Sequence, residues 1–219
     1  MSVVRLAAKD LVLEWRSREL LDAALLGALA LAVVAGVSLA SVPDTPERTA
    51  AVLWIGATLT AMLPLARSFT GEADRGTLEV LLLLPVERGQ ILVGKVLSNL
   101  LFTVAGMGVV ALAYAGVFGA TFDGWPGLVP IALLGALGVS LVGSALAAIA
   151  AQARGREALL PVLLAPLLLP VLLSAIPASI HALRGDPVAA FGGELALLAG
   201  YDLLFLAAGW ALFDVIAEG

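Results

Sequence analysis

The sequence predicts an all-α integral membrane protein with six transmembrane helices, forming a single transmembrane domain over residues 1–219. Three observations predict this class. Hydrophobic residues make up 61% of the chain and charged residues only 13%, whereas typical soluble domains contain about 25% charged residues. The mean hydropathy is +1.06. Six separate runs approach the length of about 20 mainly apolar residues that a membrane helix requires.

The six apolar runs are divided by short polar segments that end one helix and precede the next. The first run stops at SVPDTPERT, where two prolines and several polar residues follow, and the second stops near Arg67. ATFDGWPG divides the third run from the fourth, QARGRE the fourth from the fifth, and HALRGDPVAAFGGE the fifth from the sixth. The predicted spans are 21–41, 50–66, 96–119, 127–151, 158–180 and 195–216.

The placement of lysine and arginine predicts which helix ends face the cytoplasm, because cytoplasmic loops are enriched in both. All but two of the 12 lie in the N-terminal segment or in the loops that follow spans two and four. Only Arg48 and Arg184 lie on the opposite side, so both termini are predicted to be cytoplasmic. Trp54, Trp125 and Phe122 fall near that opposite boundary and are predicted to be aromatic membrane anchors.

Composition and motifs argue against several functions. A net charge of −5 argues against a nucleic-acid partner. The chain has no cysteine, which excludes disulfides and thiolate metal sites. No H-E-x-x-H or G-x-S-x-G motif occurs. We therefore expect no catalytic residues, no enzymatic activity, and no metal or cofactor bound by this chain.

Residues 1–19 precede the first span and contain too many charged residues for a secretory signal. Within them, Val4, Ala7, Leu11 and Trp15 recur at helical spacing. This pattern predicts an amphipathic, interfacial helix. Such a helix either lies in the inner membrane surface or packs on the protein's own cytoplasmic face.

The stretch ERGQILVGKV resembles a phosphate-binding P-loop. Gly89, Gly94 and Lys95 match the pattern G-x-x-x-x-G-K-[ST], but Val96 stands where serine or threonine should bind Mg²⁺. Nothing elsewhere resembles the acidic strand that accompanies a P-loop. We therefore expect no nucleotide to bind here, and predict that Lys95 extends from the membrane edge toward lipid phosphates.

The segment 67–95 is predicted to be cytoplasmic and to contain a short surface helix. The hydroxyl of Thr77 suits a helix N-cap, Glu79 in the first turn suits the helix dipole, and Pro85 would end the helix. Four consecutive leucines inside it need burial, yet the piece is too short to cross a membrane. They would pack against the membrane domain or a partner protein; the alternative is a re-entrant loop without a partner.

Two stretches of the chain resemble a known family. The first runs Phe69-x6-Gly76-Thr77-Leu78-Glu79-x-Leu-Leu-Leu-Leu-Pro85, with Lys95 ten residues later. The second, RGREALLPVLLAPLLLPVLL at 154–173, places Pro166 and Pro170 in a leucine-rich helix behind a basic loop. Together with the length and the predicted spans, these resemble haem exporter protein B, the CcmB membrane subunit of the cytochrome c maturation system.

The resemblance implies the membrane half of an ABC transporter with an ABC-2-like permease fold. A separate ATPase subunit, similar to CcmA, would hold ATP and Mg²⁺ and dock on a coupling helix between spans two and three. Further implied partners are a haem-handling membrane protein like CcmC, a small accessory subunit like CcmD and a haem chaperone like CcmE. The implied location is a bacterial or archaeal inner membrane, with haem handled by the complex. The implied ATPase-coupling residues are Phe69, Glu72, Asp74, Arg75, Gly76, Thr77, Leu78, Glu79 and Pro85.

Two other functions fit the same sequence. An ABC-2 exporter could carry another cargo, such as a lipid, a drug or a polysaccharide. Alternatively, the chain could be a membrane scaffold that holds a maturation complex together without transporting anything. A neighbouring gene for a haem chaperone would favour haem handling over another cargo, and function with an inactive ATPase would favour the scaffold.

Two ionisable residues in the predicted spans are candidates for function. Asp202 lies within span six, and intramembrane carboxylates are often functional. It either hydrogen-bonds a neighbouring helix or faces an outer cavity or partner. His181, the only histidine, lies near the outer end of span five, where it could ligate haem iron. A lone histidine is more often unliganded, so we expect no metal ligand there.

Small residues and prolines mark candidate packing or gating positions. Ser140 and Ser144 lie four residues apart in the glycine-rich span four, where small side chains let helices approach closely. They predict an internal packing seam or, alternatively, the dimer seam of a transporter. Pro166 and Pro170 each remove a backbone donor and can bend span five. A moving span could use such bends, but a static bundle also tolerates them.

Overall fold

A computed structural model describes residues 26–27, 29–30, 33–34, 37–38, 45–74, 88–122, 124–150 and 156–216. In these ranges every regular element is a helix, so the all-α prediction is confirmed for the described part of the chain. The elements are α1 (Pro46–Asp74), α2 (Arg88–Phe118), α3 (Trp125–Ala150), α4 (Arg156–Leu183), a 3₁₀ turn (Val188–Phe191) and α5 (Gly192–Ile216).

Four helical segments of the described chain are long and apolar enough to cross a membrane: Gly89–Phe118, Trp125–Ala150, Val162–Leu183 and Val188–Ala211. They correspond to the third to sixth predicted spans. The second predicted span lies inside α1. Of the first predicted span, only residues 26–27, 29–30, 33–34 and 37–38 are described, and they are helical. The interfacial helix predicted for 1–19 lies outside the described residues.

Two helices extend beyond the predicted spans. α1 continues to Asp74 and α2 begins at Arg88, whereas the spans were expected to end near Arg67 and begin at Val96. Hydropathy marks only the apolar part of a helix, and backbone hydrogen bonding continues past it into polar sequence. The segment left between α1 and α2, residues 75–87, lies outside the described residues.

α3 is the central helix of the bundle, and each of the other four helices packs against it. In its apolar window 72% of the residues are buried, compared with 39% or less in the other three candidate spans. Its small residues allow this close packing: a Cβ on Gly135 would lie 2.1 Å from Cη2 of Trp54.

Trp54 is not the membrane anchor that its position suggested. Its side chain is 1% exposed, and its indole N–H donates a hydrogen bond of 2.9 Å to the hydroxyl of Ser179 on α4. The missing Cβ of Gly135 provides the space for the ring. Trp54 therefore joins α1 to α3 and α4 in the core. Trp125 is 63% exposed, and its role as a membrane anchor stays a prediction.

α1 and α2 form an antiparallel hairpin with close contacts along its length. A Cβ on Gly56 would lie 2.7 Å from the Val110 side chain, and one on Gly106 would lie 2.7 Å from the Thr60 hydroxyl. The hairpin therefore has little room for one helix to slide along the other. Its connection, residues 75–87, contains most of the predicted coupling helix.

Candidate functional site

The predicted packing serines of α3 lie in the interior of the bundle. Ser140 and Ser144 are both fully buried. The Ser140 hydroxyl donates to the Ala136 carbonyl at 2.7 Å, while Ser144 accepts a 2.9 Å hydrogen bond from the Asn99 side-chain amide on α2. These contacts are within one chain, which favours internal packing at the serines.

The lysine of the near-P-loop is also inside the protein. Gly89, Gly94 and Lys95 all lie within α2, so these residues form a helix and not the glycine-rich turn that a P-loop requires. Lys95 is 6% exposed, and the prediction that it extends to lipid phosphates is wrong. The physical reason is that α2 begins at Arg88, about two turns earlier, which moves Lys95 from the membrane edge into the bundle.

Asp202 lies where α3, α4 and α5 meet. The side chain is 5% exposed, and neither carboxyl oxygen has a hydrogen-bond partner among the described residues. Its Oδ1 lies against the backbone of Gly138, where a Cβ would be 2.9 Å away, and Val171 of α4 approaches the same point. Burying a polar group without a hydrogen-bond partner costs free energy. Packing alone therefore does not explain a carboxyl group at this position of an apolar helix.

The residue before Asp202 connects α5 to the proline-containing part of α4. The hydroxyl of Tyr201 donates a hydrogen bond to the backbone carbonyl of Leu167. Pro170 has no N–H to donate to the carbonyl four residues earlier, which belongs to Pro166, so the carbonyl of Leu167 is not the one that this proline frees. The Tyr201 hydroxyl therefore joins α5 to α4 between Pro166 and Pro170, one residue before the buried Asp202.

Pro166 and Pro170 themselves face outward. Both are exposed, and they share the outer face of α4 with Val162, Leu169 and Leu173, which are 53% to 73% exposed. The prolines therefore do not line the junction around Asp202. A gating role for the two prolines stays a prediction.

A polar cluster holds the helix ends together on the side where α1 begins and α4 ends. Arg184 donates to the Glu47 carboxylate across these two ends, and His181 Nδ1 lies 2.7 Å from Asp186 Oδ2. The Glu47 backbone N–H, then the Arg184 guanidinium and the Thr45 hydroxyl, lower the pKa of Glu47 below its usual value. The Arg184 contact places Glu47 and Arg184 on the same side of the bundle, as the charge distribution predicts.

The predicted ATPase-coupling residues are only partly described. Phe69, Glu72 and Asp74 lie in the last turns of α1. The remaining six lie outside the described residues: Arg75, Gly76, Thr77, Leu78, Glu79 and Pro85. The coupling interaction therefore stays a prediction.

Sequence reasoning missed the buried hydrogen bonds between helices. Asn99 is a polar residue in the middle of the long apolar helix α2, and this position alone could have indicated a helix–helix contact. The bond from Trp54 to Ser179 carried no comparable signal. In the described part of the chain, no group of three or more histidine, cysteine, aspartate or glutamate side chains could hold a metal ion.

Comparison with known proteins identifies one matching family model. A protein-family model described as CcmB protein matches residues 1–213, which is nearly the whole chain and includes both stretches that carry the resemblance. A search among curated proteins finds no significant match.

Proposed function

Because this chain belongs to the CcmB family, the haem exporter protein B family, we propose that it is the permease subunit of an ABC transporter whose ATP is hydrolysed by a separate subunit. Membership of the family and the apolar helices make the chain a multi-pass membrane component of haem export or cytochrome c maturation. The proposal adds the source of energy and the route by which it reaches the membrane helices.

The observation that carries the proposal is the family match over residues 1–213, which includes the coupling segment at 69–85. The length of α1 supports it. Its 29 residues extend about 43 Å at 1.5 Å per residue, whereas the hydrocarbon core of a bilayer is about 30 Å thick. With Glu47 at one membrane surface, the end that carries Glu72 and Asp74 would project beyond the other surface, within reach of a soluble ATPase.

A continuous set of close contacts supports the route. A push on the α1–α2 connection would move the two helices together, because Gly56 and Gly106 leave no free space between them. Movement of α1 would reach α3 through Trp54 and Gly135. α3 in turn contacts Asp202 of α5 at Gly138, so the motion would arrive at the junction of α3, α4 and α5.

The proposed assembly contains a CcmA-like ATPase, CcmC-like and CcmD-like membrane subunits, and a CcmE-like haem chaperone, in an inner membrane with both termini of this chain cytoplasmic. In this assembly ATP and Mg²⁺ bind the ATPase. Charge reversal in the coupling segment tests the proposal most directly. The variants Arg75→Glu and Glu79→Lys are made in the tagged full-length chain, which is purified from its native membrane in mild detergent.

Both variants are expected to insert into the membrane normally and to lose the ATPase from the purified complex. The matched control is Glu47→Lys, an equally large change of charge at the opposite end of α1, which should retain the ATPase. Equal ATPase recovery from all three variants would contradict the proposed docking segment. Recovery of an ATPase without any haem-handling partner would support the permease role. It would favour a lipid, a drug or a polysaccharide over haem as the cargo.

A further inference from the structure

The carboxyl group of Asp202 is buried where three helices meet, and the proposed function gives it no role. Asp202 lies near the middle of the apolar segment Val188–Ala211 and is 5% exposed. Neither of its oxygens has appreciable accessible surface or a hydrogen-bond partner among the described residues. Ionisable side chains are rare at such depth in a membrane helix and commonly mark ion or proton sites.

The helices around Asp202 place no counter-charge beside it in the described part of the chain. α5 packs against α2, α3, α4 and the 3₁₀ turn. α3 and the 3₁₀ turn contain no titratable residue, and α4 contains none between 158 and 180. On α5 itself, Glu194 and Asp214 lie at least two turns away, and the adjacent Tyr201 hydroxyl donates to the carbonyl of Leu167.

α2 is the one described neighbour of α5 that carries a cation in the interior. Its titratable residues are Arg88, Lys95 and Tyr114. The helix meets α5 nearer the cytoplasmic end, because a Cβ on Gly209 would lie 2.9 Å from Leu92, two turns or about 10 Å along α5 from Asp202. Lys95 lies one turn beyond Leu92 and makes no hydrogen bond to Asp202. It is therefore the cation to test as an alternative partner.

The surroundings favour a neutral carboxyl group over an ionised one. An ionised carboxylate in an apolar environment without a donor or an adjacent cation costs far more free energy than a neutral polar group. Binding a proton removes that cost without moving any helix. The packing observed around Asp202 is therefore compatible with the acid and not with its anion.

The same packing closes the site to water. Oδ1 of Asp202 lies against α3, where a Cβ on Gly138 would be 2.9 Å from it, and a methyl group of Val171 on α4 would be 3.1 Å from that Cβ. One residue away, the Tyr201 hydroxyl ties α5 to α4. Water can therefore reach the carboxyl group, and take up its proton, when α5 separates from α3 or α4.

We propose that Asp202 is a proton-binding site of the membrane domain. Its carboxyl group holds a proton at neutral pH while α3, α4 and α5 are packed together, and transfers that proton to water when the junction opens. The coupling of this step to ATP rests on the proposed function, because the route of close contacts from α1 ends at this junction. The bound proton itself rests on the surroundings of Asp202 alone.

The first test is infrared spectroscopy of the purified full-length chain in detergent at neutral pH. A protonated carboxyl group has a carbonyl band that ionised carboxylates lack. The wild type should show this band, and Asp202→Asn should lose it. The matched control is Glu47→Gln, which removes a carboxyl group that is 48% exposed and should retain the band.

If the wild type has no such band, or if Asp202→Asn retains it in full, Asp202 holds no proton and the inference is overturned. Labelling aspartate with ¹³C gives an answer that does not depend on the folding of any variant. The band should then move to lower frequency, and a band that stays in place does not arise from an aspartate.

Lys95→Met tests the competing arrangement, in which Lys95 keeps Asp202 ionised as a buried ion pair. In that arrangement the band would be absent from the wild type and would appear in Lys95→Met, which would reject the proton site. The expected result is a band of equal intensity in both proteins.

Infrared difference spectroscopy of the complex purified with its ATPase tests the coupling to ATP. A non-hydrolysable ATP analogue should weaken the band in the wild type, as the junction opens, and cause no such change in Asp202→Asn. A band that the nucleotide leaves unchanged would reject the coupling and leave the proton site standing. Recovery of no ATPase would reject the proposed function, while the band of the isolated chain would still decide whether Asp202 holds a proton.

Discussion

Gly135→Ala tests the central packing of the bundle with a single added methyl group. The new Cβ would lie 2.1 Å from Cη2 and 2.7 Å from Cζ3 of Trp54, well inside van der Waals contact. The indole cannot easily retreat, because it is 1% exposed and its N–H is bonded to Ser179. The strain must therefore be relieved by moving α1 and α3 apart.

Two opposing effects set the magnitude. Replacing glycine by alanine inside a helix gains up to about 1 kcal/mol of helix propensity. Overpacking a well-filled core costs about 1–3 kcal/mol and sometimes more, and the contact of 2.1 Å is close enough to put this substitution at the upper end. We expect a net loss of about 2 kcal/mol in the free energy of unfolding.

The assay is reversible unfolding of the purified chain in detergent micelles, with Gly200→Ala as the matched control. Gly200 lies in α5 with open space around it, so its substitution should leave stability unchanged or raise it. Shortening the ring in Trp54→Phe should make Gly135→Ala less costly, with a coupling of about 0.5–3 kcal/mol, as for residues in contact. If Gly135→Ala behaves like Gly200→Ala and shows no coupling, the packing of Trp54 on α3 is refuted.

Three further substitutions test individual contacts. Tyr201→Phe removes the hydrogen bond to the Leu167 carbonyl and should cost about 0.5–1.5 kcal/mol, measured by the same unfolding assay; an unchanged stability would show that this bond contributes nothing. Asp202→Asn should unfold no earlier than the wild type, because an amide is less costly to bury than an unpartnered carboxylate; a large fall in the unfolding midpoint would show that the carboxylate has a partner. The folded state lowers the pKa of Glu47, so its stabilising contribution is complete above the unfolded pKa near 4.5 and disappears as pH falls through the lower folded value. Wild type and Glu47→Gln should therefore differ slightly in unfolding midpoint at neutral pH and converge in acid, and a difference that grows in acid would contradict this sign.

The coarse architecture could be predicted because membrane insertion depends on local composition. A run of about 20 apolar residues can satisfy its backbone in a bilayer only as a helix. Each of the third to sixth spans could therefore be predicted from its own sequence, without knowledge of the helices that pack against it. The predicted ends of the helices were less accurate. α2 begins at Arg88 and α1 continues to Asp74, in polar sequence where hydropathy has already fallen.

The sequence could predict which residues belong to the candidate site, but not what they contact. Asp202, Ser140, Ser144 and Pro170 stand out in the sequence because polar residues and prolines are unusual in membrane helices. Their surroundings depend on which face of each helix meets which neighbour. The sequence therefore left open whether Asp202 has a partner, and it did not reveal that Tyr201 reaches the carbonyl of Leu167.

By itself, the sequence determined the membrane class, the family and four spans of this protein, because each depends on local composition or on a contiguous motif. Only the tertiary structure decided that Trp54 and Lys95 are buried, that α3 is central, and that Asp186 stands behind the single histidine. An indole beside a membrane boundary can face lipid or core with the same local sequence, and the glycine on the opposite helix makes the difference. Contacts between side chains depend on the rotation and register of whole helices, which composition alone does not specify.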